Sequence, residues 1–255
     1  MTFEPDHNGV SIHPSPNIGA RRAGAVIDIL VMHYTGMETG DAALELLADP
    51  GSQVSAHYVV HVDGNIVQMV PESARAWHAG KGSWRGNTDV NTTSIGIEVV
   101  NPGHYLLDYP DFPAGQIDAV MSLCRGILGR HRISPRNVIA HSDLAPGRKV
   151  DPGEKFPWDV LAKAGIGQWV DPAVLDGGPA EADGTAKGVS AKQVQEMLAE
   201  YGYGIGLTGV FDSQMKTVVR EFQRHFRRDR VDGVADWSTV DTLTRLLASA
   251  PERVS

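Results

Sequence analysis

The sequence predicts an α/β protein, with a mixed central sheet flanked by helices, followed by a small three-helix domain. Three observations carry this. Apolar runs of strand length alternate with stretches of helical periodicity, as expected where strands and helices pack in layers around one core. Two of the runs are joined through Asp63-Gly64, a strong hairpin signal, so part of the sheet is antiparallel. Near residue 170 the composition shifts to Gly, Pro, Ala and acids, and a compact helical stretch follows.

Residues 1–24 read as an irregular N-terminal arm, rich in Pro, Gly and Asn. Residues 25–169 form the larger domain. In it, Ile27 to His33 is an apolar run that reads as a buried strand. Asp41 to Asp49 is a short helix with Ala42, Leu46 and Leu47 on its packed side, stopped by Pro50-Gly51. Ser55–His61 and Asn65–Val70 are the two hairpin strands, and Ser94–Val100 is a further strand. Ala114–His131 has helical spacing through Ile117, Val120, Met121, Cys124, Ile127 and Leu128, and Val138–His141 is a last short strand. Residues 170–187 read as a linker and 188–250 as the helical domain. That domain contains an internal echo: Gly209-Val210-Phe211-Asp212 and Gly233-Val234-Ala235-Asp236 each precede an apolar helix, with Asp where an N-cap belongs.

Composition excludes some functions. With a net charge of −8, the chain lacks the basic surface that phosphate backbones require, so nucleic acid is not expected as a partner. Cys124 is the single cysteine, which excludes an internal disulfide, and its apolar helical setting marks it as a small buried hydrophobe. No apolar stretch is long enough for a transmembrane segment. Met1 to Pro16 has neither a basic start nor an apolar core, so a standard secretory signal is not expected. Oligomeric state is not legible.

Four places hold residues suited to chemistry. His33 ends a buried strand, and His141 ends another. Alternation along Ser94–Val100 puts Ile95, Ile97 and Val99 on one face and Glu98 on the other, with Gly96 and Val100. A carboxylate in so apolar a strand is costly to bury without a partner. Partial desolvation raises its pKa toward the range of a general base or acid. Pro152 favours an extended Asp151, and residues two apart then point the same way, so Lys149 and Asp151 face one site. Two histidines and an aspartate with an open fourth position suit catalytic zinc (Zn2+), a glutamate can take a proton from water, and a lysine can neutralise an oxyanion. Each residue also has an ordinary reading. Strand-end histidines are commonly structural, a buried glutamate can be a paired acid, and Lys149 can lie on a solvated loop. No local motif brings His33 to His141; only the fold can.

The order of motifs adds to this. Val31-Met32-His33-Tyr34-Thr35, Ser55-Ala56-His57-Tyr58-Val59-Val60, Ala76-Trp77-His78-Ala79-Gly80, Ser94-Ile95-Gly96-Ile97-Glu98 and the long block from His141 to Gly153 together resemble the type 2 N-acetylmuramoyl-L-alanine amidases. The likeness covers roughly residues 25 to 165. It implies His33, His141 and Asp151 as zinc ligands, Glu98 as general base and Lys149 as oxyanion stabiliser. It implies cleavage of the amide between N-acetylmuramic acid and L-alanine, in peptidoglycan or muropeptides. Trp77 and His78 are implied as substrate-groove residues, with core packing the other reading of Trp77. His57 and His61 are expected to be structural, and His104, His131 and His225 carry no functional expectation.

Residues 188–250 resemble the three-helix peptidoglycan-binding domain of wall hydrolases, through Val194–Leu198, Gly209–Asp212, Val219–Gln223 and Asp232–Asp236. The basic run Arg224–Arg230 departs from that pattern and reads as a solvated helix end, ahead of a role in attracting wall carboxylates. A wall-binding domain points to the periplasm or cell envelope, whereas the missing signal leaves the cytoplasm open. The alternative function is a non-catalytic peptidoglycan-recognition protein on the same fold, whose mark is a lost metal ligand; here the inferred set is complete. A phage lysin would share the chemistry.

Overall fold

A computed structural model describes residues 3–105, 109–175 and 184–249. Its centre is a pair of fully parallel strands, β3 (Ile29–Tyr34) and β7 (Ser94–Val99), the numbering following chain order. Both are apolar and buried nearly throughout, as strands covered on both faces must be. β8 (Val138–Ala140) joins β3 in parallel, and β4 (Tyr58–Val60) joins β7 in parallel. β5 (Ile66–Gln68) pairs antiparallel with β4 through the turn at Gly64, whose φ of +87° suits glycine. β1 (Ser11–Ile12) completes the order β1-β5-β4-β7-β3-β8, while β2 (Ile18–Ala20) and β6 (Ala74–Ala76) form a separate ribbon.

The predicted mixed sheet is therefore present, but the N-terminal arm is not irregular. Its two short strands pair with β5 and β6. Two or three residues show no readable alternation; backbone pairing to an open edge needs none.

Alternation sorts side chains between two layers. Leu30, Met32 and Tyr34 of β3, with Ile95, Ile97 and Val99 of β7, pack under α3 (Ala114–Arg130) through Ile117, Val120, Leu123, Cys124 and Ile127. Cys124 is fully buried there, as expected. α5 (Trp158–Lys163) closes the same layer through Trp158 and Leu161. The opposite face carries Ile29, Val31 and His33 from β3 and Ser94, Gly96 and Glu98 from β7.

α1 (Gly40–Ala48) is capped by Thr39 and packs through Ala43 and Leu47. Leu46, expected on its packed side, is 43% exposed and lines the groove described below. The short helices α2 (Val90–Thr93) and α4 (His141–Leu144) sit at strand ends.

The C-terminal helices are α6 (Ala191–Tyr201), α7 (Ser213–Phe226) and α8 (Trp237–Ala248). Asp212 and Asp236 cap α7 and α8, accepting the amides of Met215 and Thr239 at 2.8 Å each. The repeated Gly-Val-x-Asp turn is thus a pair of N-caps. Of the proposed linker, residues 176–183 lie outside the described residues; Ala173 bonds Ser238 and Thr242 of α8. Residue 250 of the helical domain is also outside them.

Most of the basic run is paired rather than solvated, with Asp229 and Arg230 its exposed end. His225 and Arg227 are 3% and 1% exposed, Arg224 pairs with Glu221 and Glu154, and Arg228 with Asp159. Its charges meet acids of the larger domain or of its own turn. Local sequence displays charge but not these partners.

Candidate metal centre

Three parallel strands end side by side, and each delivers a polar residue to the same spot. His33 stands directly opposite Glu98 in the β3–β7 register, and Ala140, the residue before His141, stands opposite Met32 in the β3–β8 register. The carboxyl ends of adjacent parallel strands open a crevice, a common place for ligands. Asp151 reaches the spot on the loop after α4; the Ser142 amide donates to its carbonyl at 3.0 Å.

The ligand atoms form a tight triangle. His33 Nδ1 lies 2.9 Å from His141 Nδ1, and each lies 3.0 Å from Asp151 Oδ2. These edges are close to the roughly 3.3 Å between ligands of tetrahedral zinc. All three residues are buried, and they form a His-His-Asp cluster able to hold a metal ion. His141 Nε2 lies 3.0 Å from the Ala79 carbonyl, which only accepts, so Nε2 is the donor there and Nδ1 is the nitrogen turned to the triangle. Burial first, and the neighbouring His141 second, lower the His33 pKa to about 4. Burial opposes ionisation of Asp151, but the two imidazoles outweigh it and hold its carboxyl well below the usual range. Two imidazole nitrogens and one carboxylate oxygen are a zinc donor set.

His33 is braced from behind. His33 Nε2 faces His78 Nδ1 at 3.0 Å, and His78 Nε2 faces the Ser94 hydroxyl at 3.0 Å. Gly96 leaves the room this needs, because a Cβ there would meet the His78 ring at 2.5 Å. One face of β7 thus supplies the hydroxyl that holds His78, the space for its ring, and Glu98. Arg148 donates to the Ala79 carbonyl at 2.6 Å, fixing the group that orients His141. Ser94, Gly96 and Arg148 carry no sign of these roles in their local sequence.

Glu98 and Lys149 both line a groove of about 530 Å³ that opens beside the triangle. Glu98 Oε2 is buried and has no hydrogen-bond partner among the described residues. Burial first, and the charge of Asp151 second, push its pKa well up, while Lys149 acts in the opposite direction. Trp77 and His78 line the same groove, but both His78 ring nitrogens turn inward to His33 and Ser94. His57 is fully buried and bonds the Gly96 amide and Arg21; neither it nor His61 joins the triangle.

Residues 23–154 match the N-acetylmuramoyl-L-alanine amidase family, and residues 187–243 match a peptidoglycan-binding domain. The chain is 40% identical over 232 residues to N-acetylmuramoyl-L-alanine amidase AmiD of Escherichia coli (strain K12), spanning 86% of this chain and 82% of that protein. The solved complex of AmiD from E. coli with the substrate anhydro-N-acetylmuramic acid-L-Ala-D-gamma-Glu-L-Lys superposes with a TM-score of 0.76 at 38% identity, covering 89% of this chain and 91% of that one. AmpDh3 of Pseudomonas aeruginosa, solved with an anhydromuramic pentapeptide, gives 0.74 at 34% identity, covering 98% and 100%. The chain belongs to the N-acetylmuramoyl-L-alanine amidase family of enzymes and carries a C-terminal peptidoglycan-binding domain.

Proposed function

We propose that this enzyme is a zinc-dependent amidase that cleaves the bond between the lactyl group of N-acetylmuramic acid and L-alanine of the stem peptide. The observation that carries the reading is the triangle of His33, His141 and Asp151 at one end of a groove that also holds Glu98 and Lys149. Bound there, zinc would supply a Lewis acid and a water acidic enough to ionise near neutrality. Glu98, with a raised pKa and an unpartnered oxygen, takes the proton of the attacking water and returns it to the leaving amine. The Lys149 ammonium stabilises the oxyanion as the carbonyl becomes tetrahedral. His78 sets the His33 ring, so of the two groove residues Trp77 is the one free to meet substrate.

Muropeptides fit as ligands because the related AmiD and AmpDh3 structures hold anhydromuramic peptides. A wall-binding domain has most use where polymeric wall lies, which favours the periplasm or cell envelope.

The test is digestion of purified peptidoglycan and of a soluble anhydro-muropeptide, with and without chelator, with products read by mass spectrometry. Free stem peptides beginning at L-alanine, lost with chelator and restored by zinc, are the expected result. Chelator-resistant release would sink the zinc reading. Binding of sacculi without release from either substrate would move the protein to the recognition class.

A further inference from the structure

Two of the three triangle residues, His141 and Asp151, lie on one short stretch of chain, and that stretch is gripped by the C-terminal helices. α4 begins at His141 and carries Asp143, whose side chain is fully buried. The Ala140 amide donates to Asp143 Oδ2 at 2.8 Å and closes the turn locally. The other two partners come from across the domain boundary. The Tyr203 hydroxyl donates to Oδ1 at 2.6 Å, and His225 Nδ1 faces Oδ2 at 2.6 Å. The His225 ring stacks on Trp158 of the larger domain at 3.9 Å between centroids, and Tyr203 stands edge-on to Trp84 at 5.3 Å.

A second set of contacts reaches α4 from another side. The Arg85 amide donates to the Gly202 carbonyl at 2.8 Å, and the Ser83 amide to the Leu144 carbonyl at 2.8 Å. Gly202 and Gly204 permit this approach, since a Cβ at either would collide with Trp84 or Ser83. Behind them, Ile29, Val31, Ile139 and Leu144 of the sheet side share one apolar cluster with Tyr201, Tyr203 and Phe222.

A tethered wall anchor requires none of this; a flexible linker alone raises local concentration. A buried carboxylate is stable only where donors meet its oxygens, and here two of the donors lie 60 and 82 residues away. We propose that the C-terminal domain forms part of the support of the metal centre. Tyr203 and His225 are positioning residues that hold Asp143, and through it orient His141 toward His33 and Asp151. The proposal rests on the reading of those three residues as metal ligands.

The test uses the full chain. His225→Phe keeps the ring stack and Tyr203→Phe keeps the packing, while each removes one donor to Asp143. Zinc dissociation constants are read by chelator competition well below each protein's melting midpoint, beside kcat and KM on a small soluble muropeptide and binding to sacculi. The double variant is expected to bind zinc about 10–100-fold more weakly, as when the partner of a ligand's support is removed. Its kcat falls while KM and sacculus binding hold. His225→Asn, whose amide nitrogen stands in for Nδ1, restores affinity. Arg228→Gln breaks the nearby pairing with Asp159 without touching Asp143, and should leave zinc affinity unchanged. A double variant with wild-type zinc affinity overturns the proposal, as does an Arg228→Gln variant that loses as much. A wild-type chain that takes up no zinc overturns the metal reading and the proposal together.

Discussion

Glu98 is a carboxylate placed where its strand offers it no donor. β7 spends its backbone groups on β3 and β4, and Oε2 is left unpartnered among the described residues. Burial and the Asp151 charge both favour the protonated form, so the residue is primed to take up a proton. Glu98→Gln keeps shape and removes that capacity. It should retain zinc and lose about 100- to 10,000-fold in kcat, the usual worth of a general base. Asp151→Ala should lose zinc as well, which separates the two roles by metal content. Near-normal turnover in Glu98→Gln would assign the base elsewhere. The sequence points to His33, Glu98, His141 and Asp151 because each lies within a recognisable motif, and the fold brings His33, His141 and Asp151 within reach of one another. The brace behind His33 was not legible there. His78 and Ser94 are 16 residues apart, and their meeting depends on the turn that folds one segment over β7.

At the scale of elements, β7 illustrates how one strand face does several tasks. Ser94, Gly96 and Glu98 project to the same side, so the strand supplies a hydroxyl, a gap and a carboxylate at two-residue intervals. The gap is as specific as the groups. Gly96→Ala would put a Cβ 2.5 Å from the His78 ring and push it off His33. Zinc affinity should fall about 10–100-fold, as for loss of a ligand's hydrogen-bond partner. Gly129→Ala on α3 is the contrast, since a Cβ there meets nothing within 4 Å. That change should raise stability by about 0.4–1 kcal/mol and leave zinc alone. Equal zinc affinity in the two variants would show that Gly96 serves the sheet rather than the site. Elements with long periodicity, such as α3, were legible to within a residue or two. The paired strands of the arm were not, because an edge strand of two or three residues is defined by its partner's backbone. The run from Arg224 to Arg230 misled for a related reason: Arg224 and Arg228 of the C-terminal region meet Glu154 and Asp159 of the larger domain.

For the whole molecule, one buried acid ties distant parts together. Glu72 Oε1 accepts the Tyr58 hydroxyl and Arg130 Nη2 at 2.7 Å each, and its Oε2 lies 2.7 Å from His131 Nε2. Its backbone amide donates to Asp6, and its carbonyl accepts from Arg21, so the arm, β4 and the end of α3 meet at this residue. Burial alone would raise its pKa. The donors His131, Arg130 and Tyr58 outweigh burial and pull it from an ordinary 4.5 to about 2. A carboxyl depressed in the folded state binds its proton more readily when unfolded. Its contribution is therefore complete above about pH 4.5 and drains away as pH falls toward about 2. Glu154, held by His104 and Arg224 at the domain boundary, is depressed to about 2 against burial and adds to the same window. Stability measured by denaturant unfolding should fall steeply across that interval. Glu72→Gln should cost about 3 kcal/mol at neutral pH, the scale for breaking a buried ion pair. The gap between variant and wild type should then narrow as pH approaches 2, because acid removes from the wild type what the substitution has already removed. Acid-unfolding curves that stay parallel across the interval would mean that Glu72 is not what holds these segments together in its charged form.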